Sequence, residues 1–522
     1  MSNFHHVVSK ARETFDSGKT RSYEFRKKQL LNFKRMVEEN GDKIAQSLEQ
    51  DLKKCKMESF FTEIGLLVTE IDYILENLKQ WMAPAEPEKN LITMLDKVRI
   101  YNDPKGVVLV MGAWNYPINL TLMPVIGAIS AGNCVVIKPS EVAPASANVI
   151  AELIPKYLDP ECYQVCLGGV AETTELLKEK FDHIMYTGST VVGRIIYAAA
   201  NKNLTPVTLE LGGKSPCYVD DTVNLNYAVK RIMWGKCINA GQTCIAPDYM
   251  LCTKEVQDKF VKEAKKVIEE WYGSNAITSP DYCRIVSDRH FKRLEKMLQN
   301  AEIAYGGQIE PKERYFGPTI LTNVNPNHPV MKEEIFGPIM PIVTVANAHE
   351  AIKFINARDR PLTSYVFTKD KQIQDLFLEN TISGSAVVND TLIQFGVHTL
   401  PFGGVGESGM GAYHGKYSFD TFTHKKSTII KNYNSLGEKV ASARYPPYSD
   451  RKLGVMQALM RVKLNFGFFK YAPHAALFAA GLAAGIAYNQ YKVRPLPANL
   501  PFQVPQGILD RLGLSQEPKP SS

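Results

Sequence analysis

The stretch GVVLVMGAWNYP, residues 106–117, decides the fold class. Val107 to Met111 is a short, unbroken apolar run rich in β-formers, too short for a buried helix. Gly112 and the AWNYP turn end it, and the residues after Pro117 read as a helix. A strand that is apolar on both faces must be covered on both faces, which is the pattern of a parallel sheet between helical layers. The unit recurs along the chain. NCVVIK, residues 133–138, is a second such run followed by a helical stretch, and residues 163–167 and 183–186 read as further strands. This rhythm predicts an α/β chain with a Rossmann-like cofactor domain over 1–81 and 102–208, helical from about 21 to 80, where Leu30, Leu31, Phe33, Met36 and Val37 recur among charges.

Outside this region the texture changes. A second α/β region is expected to start near Pro206 and end near Gly415, with strands at 216–219, 249–252, 341–345, 364–367 and 385–389; its body, 209–416, reads as a catalytic domain. Residues 82–101 and 417–433 combine a Pro- and Glu-rich crossing loop with two β-rich edge segments, 97–102 and 421–432, which pair with each other or with another subunit as a small β bridging or oligomerisation element. Residues 434–470 read as a linker, broken at Tyr445-Pro446-Pro447-Tyr448, and an amphipathic helix over 452–469. Residues 471–491 carry no Lys, Arg, Asp or Glu and lie between Lys463 and Lys470 on one side and Lys492 and Arg494 on the other. As a helix they reach roughly 30 Å, enough to cross a bilayer core. Ala and Gly dominate them, so insertion is weakly driven, and Gly481 and Gly485 have the spacing of close helix contact in lipid. The same segment also fits a helix packed on a soluble domain. Residues 492–522 form a tail.

Composition excludes several classes. A net charge of +7 over 522 residues, with no basic stripe interleaved with aromatics, does not suit nucleic-acid binding. Nine cysteines without CxxC pairs or zinc-type Cys/His spacing read as reduced thiols in a cytosol-facing protein, with no metal site. Residues 1–20 lack the apolar core of a secretory signal.

Seven motifs carry chemistry. GQTC, residues 241–244, offers Cys244 as a nucleophile, and ELGGK, residues 210–214, offers Glu210 as a base for the thiol or for a water. Cys244 alone would be read as one buried thiol among nine; the surrounding motifs change that. Asn115 follows the first strand, where ligand groups sit in open α/β sheets, and its amide N–H can donate to a developing oxyanion with the backbone N–H of Cys244. KPSE, residues 138–141, places Lys138 and Glu141 where they can bond ribose hydroxyls, or simply pair on the surface. TGSTVVG, residues 187–193, opens a helix after a strand, so the N–H groups from Gly188 through Ser189, Thr190, Val191 and Val192 to Gly193 can face a pyrophosphate. EEIFGP, residues 333–338, sets Glu334 and Phe336 in a loop. PFGGVGESG, residues 401–409, allows close approach of backbone to a substrate or to another segment.

In their order and spacing these motifs resemble those of the NAD(P)-dependent aldehyde dehydrogenases over residues 21–432. AWNYP and the short N-terminal region resemble the class 3 branch, and the apolar tail resembles that of the branch's membrane-bound enzymes for fatty aldehydes, although it holds less Leu and Val and is followed by about thirty residues. The resemblance implies that Cys244 forms a thiohemiacetal and then a thioester, that Asn115 holds the oxyanion and that Glu210 activates the hydrolytic water. It implies that Lys138 and Glu141 hold the adenosine ribose, residues 188–193 lie along the pyrophosphate, Glu334 binds the nicotinamide ribose and Phe336 packs near the nicotinamide. It further implies a homodimer anchored to a membrane by its C-terminal segment with the catalytic domain facing the cytosol, at the endoplasmic reticulum, mitochondrial outer membrane or peroxisome. The expected cofactor is NAD, because Glu141 repels a 2′-phosphate, with NADP possible because Lys138 stands beside it. Alternative readings are a soluble enzyme for aromatic or medium-chain aldehydes, an acyl-CoA-forming enzyme, and a catalytically silent scaffold or membrane tether.

Overall fold

The computed structural model describes residues 3–90, 93–94, 96–461, 477–478 and 480–483. The described residues within 1–86 and 99–428 form one compact unit, and those within 87–98 and 429–483 a second.

The first unit is built on two sheets. In the six-stranded sheet the strands run Gly409–Met410, Val207–Glu210, His183–Thr187, Val107–Met111, Cys134–Lys138 and Tyr163–Val165. All pairs are parallel except Gly409–Met410 with Val207–Glu210. All five residues of Val107–Met111 are buried, as the unbroken apolar run requires; each such side chain contributes about 1.5–3 kcal/mol on leaving water. The chain runs outward from this strand to Cys134–Lys138 and Tyr163–Val165, then returns to its other side with His183–Thr187. The order therefore reverses between Val107–Met111 and His183–Thr187, and the ends of these two strands frame a crevice suited to a ligand. Helix Asn119–Ala131 is buried on every side and stops at Gly132, whose φ of 89° only glycine adopts without strain.

The seven-stranded sheet runs Ser385–Val388, Thr363–Phe367, Pro216–Val219, Tyr249–Cys252, Ile339–Thr344, Thr319–Leu321 and Ile303–Tyr305, parallel except for the last strand. Each sheet has its own apolar core, around Leu109, Val136 and Ile126 in one and Phe260, Leu251 and Ile342 in the other.

The structure moves one sequence boundary. Val207–Glu210 belongs to the six-stranded sheet, paired with His183–Thr187, so the second sheet begins at Pro216 rather than near Pro206. Apolar patterning marks strands but not the sheet each one joins. A helix at Asn3–Asp16 adds to the helical region, and within it Arg12 pairs with Asp182, which also accepts the Val107 N–H at 2.7 Å. The two edge segments are strands Lys97–Pro104 and Thr423–Ile430, which pair with each other.

In the second unit Asp96 accepts hydrogen bonds from Lys431 Nζ at 2.6 Å and from the Asn432 N–H at 3.0 Å. Helices Ser435–Ala441 and Asp450–Arg461 follow. The expected amphipathic helix is thus present as far as Arg461. The rest of it and most of the candidate span 471–491 lie outside the described residues, as does the tail 492–522; residues 477–478 and 480–483 are helical. Among the described residues no helix is long and apolar enough to cross a membrane.

Candidate active site

The nucleophile loop is held in an unusual backbone conformation. Helix Leu225–Cys237 ends before Asn239, Ala240 and Gly241, which have φ of 53°, 50° and 71°. Three consecutive left-handed residues cost strain, and strain of this kind collects at functional sites. Gln242 braces the loop: its Nε2 donates to Asn239 O and Arg284 O, both at 3.0 Å, and its Oε1 accepts from the Val286 N–H at 2.9 Å. A Cβ at Gly241 would stand 2.3 Å from Gly337 O, so this glycine is what lets the GQTC and EEIFGP loops touch.

Cys244 lies at the junction of two cavities of different character. On one side is a cleft of 1310 Å³, lined by Met111 to Asn115, Lys138, Glu141, Gly188, Ser189, Val192, Glu210, Glu334 and Phe336 among others. On the other is a narrow apolar cavity of about 50 Å³ whose walls include Leu66, Leu120, Ile245, Leu392, Phe395 and Phe402, with Tyr116, Thr243 and His414. Burial pushes the thiol up, and the Glu334 and Glu210 carboxylates add to this, while the Cys244 and Ile245 N–H groups favour the thiolate. A buried thiol of this kind needs a base or a positive charge to become a nucleophile.

Asn115 Nδ2 donates to Gln242 O at 3.1 Å, which fixes the carboxamide beside the nucleophile loop and leaves its second N–H for a substrate. Tyr116 Oη meets Thr243 Oγ1 at 2.6 Å. Glu210 ends its strand with both carboxylate oxygens buried and without partners among the described residues, and desolvation holds its pKa well above the usual carboxylate range. A buried, unpaired carboxyl in a cleft is the signature of a general acid or base. The glycine-rich loop 401–409 pins this strand: Leu211 N donates to Ser408 O at 3.1 Å, and Gly409 pairs with Glu210. Of the two uses open to that loop, it serves close approach to another segment, while Phe402 lines both cavities.

Lys138 Nζ donates to Glu141 Oε2 at 2.9 Å and to Pro139 O at 3.1 Å. Partial burial pushes the Glu141 carboxyl up, but Lys138 outweighs it and holds the pKa below the usual value. Glu334 is pushed up to about 8 by burial and then by Asp248, against a bond from the Gly213 N–H and the charge of Lys214. Arg293 holds its loop through Glu334 O at 2.9 Å and Ile335 O at 2.5 Å.

The motif residues do not all converge. Val192 reaches the cleft with Ile195 and Ile196, one face of helix Thr190–Asn201. Thr190, Val191 and Gly193 are not part of the cleft wall. Thr190 Oγ1 donates to Glu407 O at 3.3 Å, Val191 is 72 % exposed, and a Cβ at Gly193 would meet Leu211 at 2.7 Å, so this glycine serves helix-to-sheet packing.

The profile of the Aldehyde dehydrogenase family matches residues 1–428. The chain belongs to this family. It is 49% identical over 460 residues to Aldehyde dehydrogenase family 3 member A2 of Rattus norvegicus, covering 88% of this chain and 95% of that one. It is 51% identical over 447 residues to the dimeric NADP-preferring aldehyde dehydrogenase of Mus musculus, covering 86% and 98%. The substrate-bound AldH of Staphylococcus aureus superposes with a TM-score of 0.85 at 41% identity, covering 88% of this chain and all of that one. This aldehyde dehydrogenase is an NAD(P)-dependent enzyme that oxidises aldehydes to carboxylic acids.

The larger cleft suits such a cofactor. At Gly188 a Cβ would meet Tyr186 Oη at 2.2 Å, and at Gly212 one would meet Glu334 Oε2 at 2.0 Å, so the wall there is bare backbone. Thr187 Oγ1 is buried without a partner among the described residues, and Ser189 caps the twelve-residue helix whose N-terminus faces the crevice. The sequence did not single out Trp114 or His290, whose rings lie 4.8 Å apart beside Phe336 in the dehydrogenase cleft. Burial and the neighbouring Arg293 and Arg289 push His290 down to about 4, leaving a neutral imidazole. Trp114 sits inside AWNYP, but no pattern marks His290, which comes from a different element. The same holds for His414 in the apolar cavity.

Proposed function

We propose that this aldehyde dehydrogenase acts on long-chain aliphatic aldehydes. The observation that carries the reading is the placement of Cys244 between a large cleft that holds Lys138, Glu141, Glu210 and Glu334 and a narrow apolar cavity. Its apolar walls suit the aliphatic carbons next to a carbonyl held at the sulfur.

Cys244 gives up its proton to solvent, its Sγ adds to the aldehyde carbon, and the carbonyl electrons move to oxygen. Asn115 Nδ2–H and the Cys244 N–H hold that oxyanion as a thiohemiacetal on the sulfur. NAD, when bound, supplies the acceptor for the hydride that leaves as the thioester forms. Lys138 and Glu141 would hold its adenosine ribose, the turn from Gly188 its pyrophosphate and Glu334 the nicotinamide ribose, with Phe336 near the ring. Glu210 then takes a proton from water, the hydroxide adds to the thioester carbon, and the carbon–sulfur bond breaks to release the carboxylic acid and the thiol. The six-stranded sheet is assigned to the cofactor and the seven-stranded sheet to catalysis. The ionised Glu141 favours NAD over NADP.

The uncharged segment 471–491 supports attachment to a membrane, where such aldehydes concentrate. Edge strands Lys97–Pro104 and Thr423–Ile430 support a homodimer, in keeping with the dimeric relative from Mus musculus. NADH production from aldehydes of increasing length tests the substrate reading, with full-length protein and protein cut after residue 470. A long-chain optimum that falls on truncation is expected. A flat or short-chain profile would sink it, and release of the intact protein from membranes by carbonate would sink the anchor.

A further inference from the structure

Lys54 and Glu63 form an ion pair with no exposure of either side chain, Nζ to Oε1 2.5 Å. The other polar contacts of the pair fall on the AWNYP turn and the two residues after it. Lys54 Nζ donates to Asn115 O at 3.3 Å and stands 4.2 Å from the centre of the Tyr116 ring. Glu63 Oε2 accepts from the Ile118 N–H at 2.9 Å and the Asn119 N–H at 3.3 Å, satisfying groups that the start of helix Asn119–Ala131 leaves open. Asn239, from the nucleophile loop, donates to the same Asn115 carbonyl at 2.8 Å.

The local backbone is shaped to deliver Glu63. Phe60–Ile64 is a single π-helical turn, a feature that commonly marks functional positions. It puts Thr62 in the wall of the apolar cavity and Glu63 in the interior. A buried ion pair is a poor source of stability, because desolvation offsets its attraction. What the pair adds here is a directional hold on one peptide group.

We propose that Lys54 and Glu63 are positioning residues for aldehyde oxidation. Together they lock the Asn115 peptide and the helix start behind it, so that the Asn115 amide N–H is aimed at the oxyanion formed on Cys244. The proposal rests on the assignment of Asn115 as the oxyanion donor.

The test is a mutant cycle in the full-length enzyme. K54M/E63L removes both charges and leaves neither unpaired. NAD binding by fluorescence and circular dichroism are expected to match wild type, while kcat falls on the order of 10- to 100-fold, the scale set by displacing a reacting group by about 1 Å. N115A alone is expected to lower kcat roughly 100- to 1000-fold. In the N115A background, adding K54M/E63L is expected to cost less than about threefold, since groups that act as a unit are not additive. Wild-type kcat in K54M/E63L, or full additivity with N115A, overturns the proposal. Wild-type kcat in N115A removes the oxyanion assignment itself. Should K54M/E63L not fold, K54R/E63D is measured in its place: it keeps both charges but withdraws the carboxylate from the Ile118 N–H. The same loss of kcat is expected there, and wild-type kcat again overturns the proposal.

Discussion

Glu210→Gln separates formation of the thioester from its hydrolysis. The exchange keeps the size of the side chain and removes the base. Glu210 is 2 % exposed and neither oxygen has a hydrogen-bond partner among the described residues, so no bond is broken. Folding should therefore survive, and lost turnover can be read as lost chemistry. General-base activation of water accounts for about 10²–10⁴ in rate, or roughly 3–5 kcal/mol of the hydrolytic barrier. The sign of the pH effect follows from the environment. Desolvation holds the carboxyl in its protonated form well above the usual range, so a wild-type kcat limited by hydrolysis rises with pH as Glu210 ionises. The variant loses that rise.

Stopped-flow measurement of NADH decides the outcome. One equivalent of NADH per site should still form rapidly, followed by a steady state slowed about 100- to 10 000-fold. A steady state within threefold of wild type, with the pH limb intact, would refute the assignment. Equal losses in the burst and the steady state would move Glu210 from water activation to activation of the thiol.

Three further outcomes are expected. Glu141→Gln should raise the NADP to NAD ratio of kcat/KM about tenfold, because it removes a charge that repels the 2′-phosphate and frees Lys138 to bond it; an unchanged ratio from initial rates counts against the ribose assignment. Gly212→Ala should fold normally and raise the KM for NAD about tenfold, since its Cβ would displace the mobile end of Glu334 from a position 2.0 Å away; adding it to Glu334→Ala should then cost nothing more. Glu334→Gln should stabilise the cofactor-free protein increasingly as pH rises from about 4.5 to about 8. Over that window the unfolded carboxyl ionises and the buried one does not, a penalty of no more than about 5 kcal/mol for the wild type. Urea midpoints at pH 5 and pH 9 check this, and a wild-type to variant gap independent of pH would exclude it.

The sequence was most legible where one element carried one signal. Val107–Met111 and Tyr249–Cys252 are short apolar runs, and burial on both faces follows from that pattern. Short strands such as Thr319–Leu321 and Gly409–Met410 span too few residues to show a period and are fixed by their partners. Thr190, Val191 and Gly193 illustrate a different limit. A glycine-bearing turn before a helix reads as one continuous cradle, but each helical residue rotates the side chain by about 100°, so only the face with Val192, Ile195 and Ile196 meets the cleft. Glu63 and His290 left no trace, because their meaning depends on groups far away in the chain: Glu63 on a turn 55 residues on, His290 on Trp114.

Gly241 shows how separate motifs become one device. In the sequence GQTC and EEIFGP are independent, one presenting the nucleophile and the other a carboxylate and an aromatic. In the structure Gly241 has φ of 71° and no room for a Cβ, which would stand 2.3 Å from Gly337 O. Phe336, one residue earlier, has φ of 49°, an outlier for a bulky side chain. Two strained loops thus lean on each other at a point that admits only backbone. Any side chain at position 241 must push apart Cys244 and the Glu334–Phe336 segment together. The distance between sulfur and cofactor site is therefore set by this contact rather than by either motif alone.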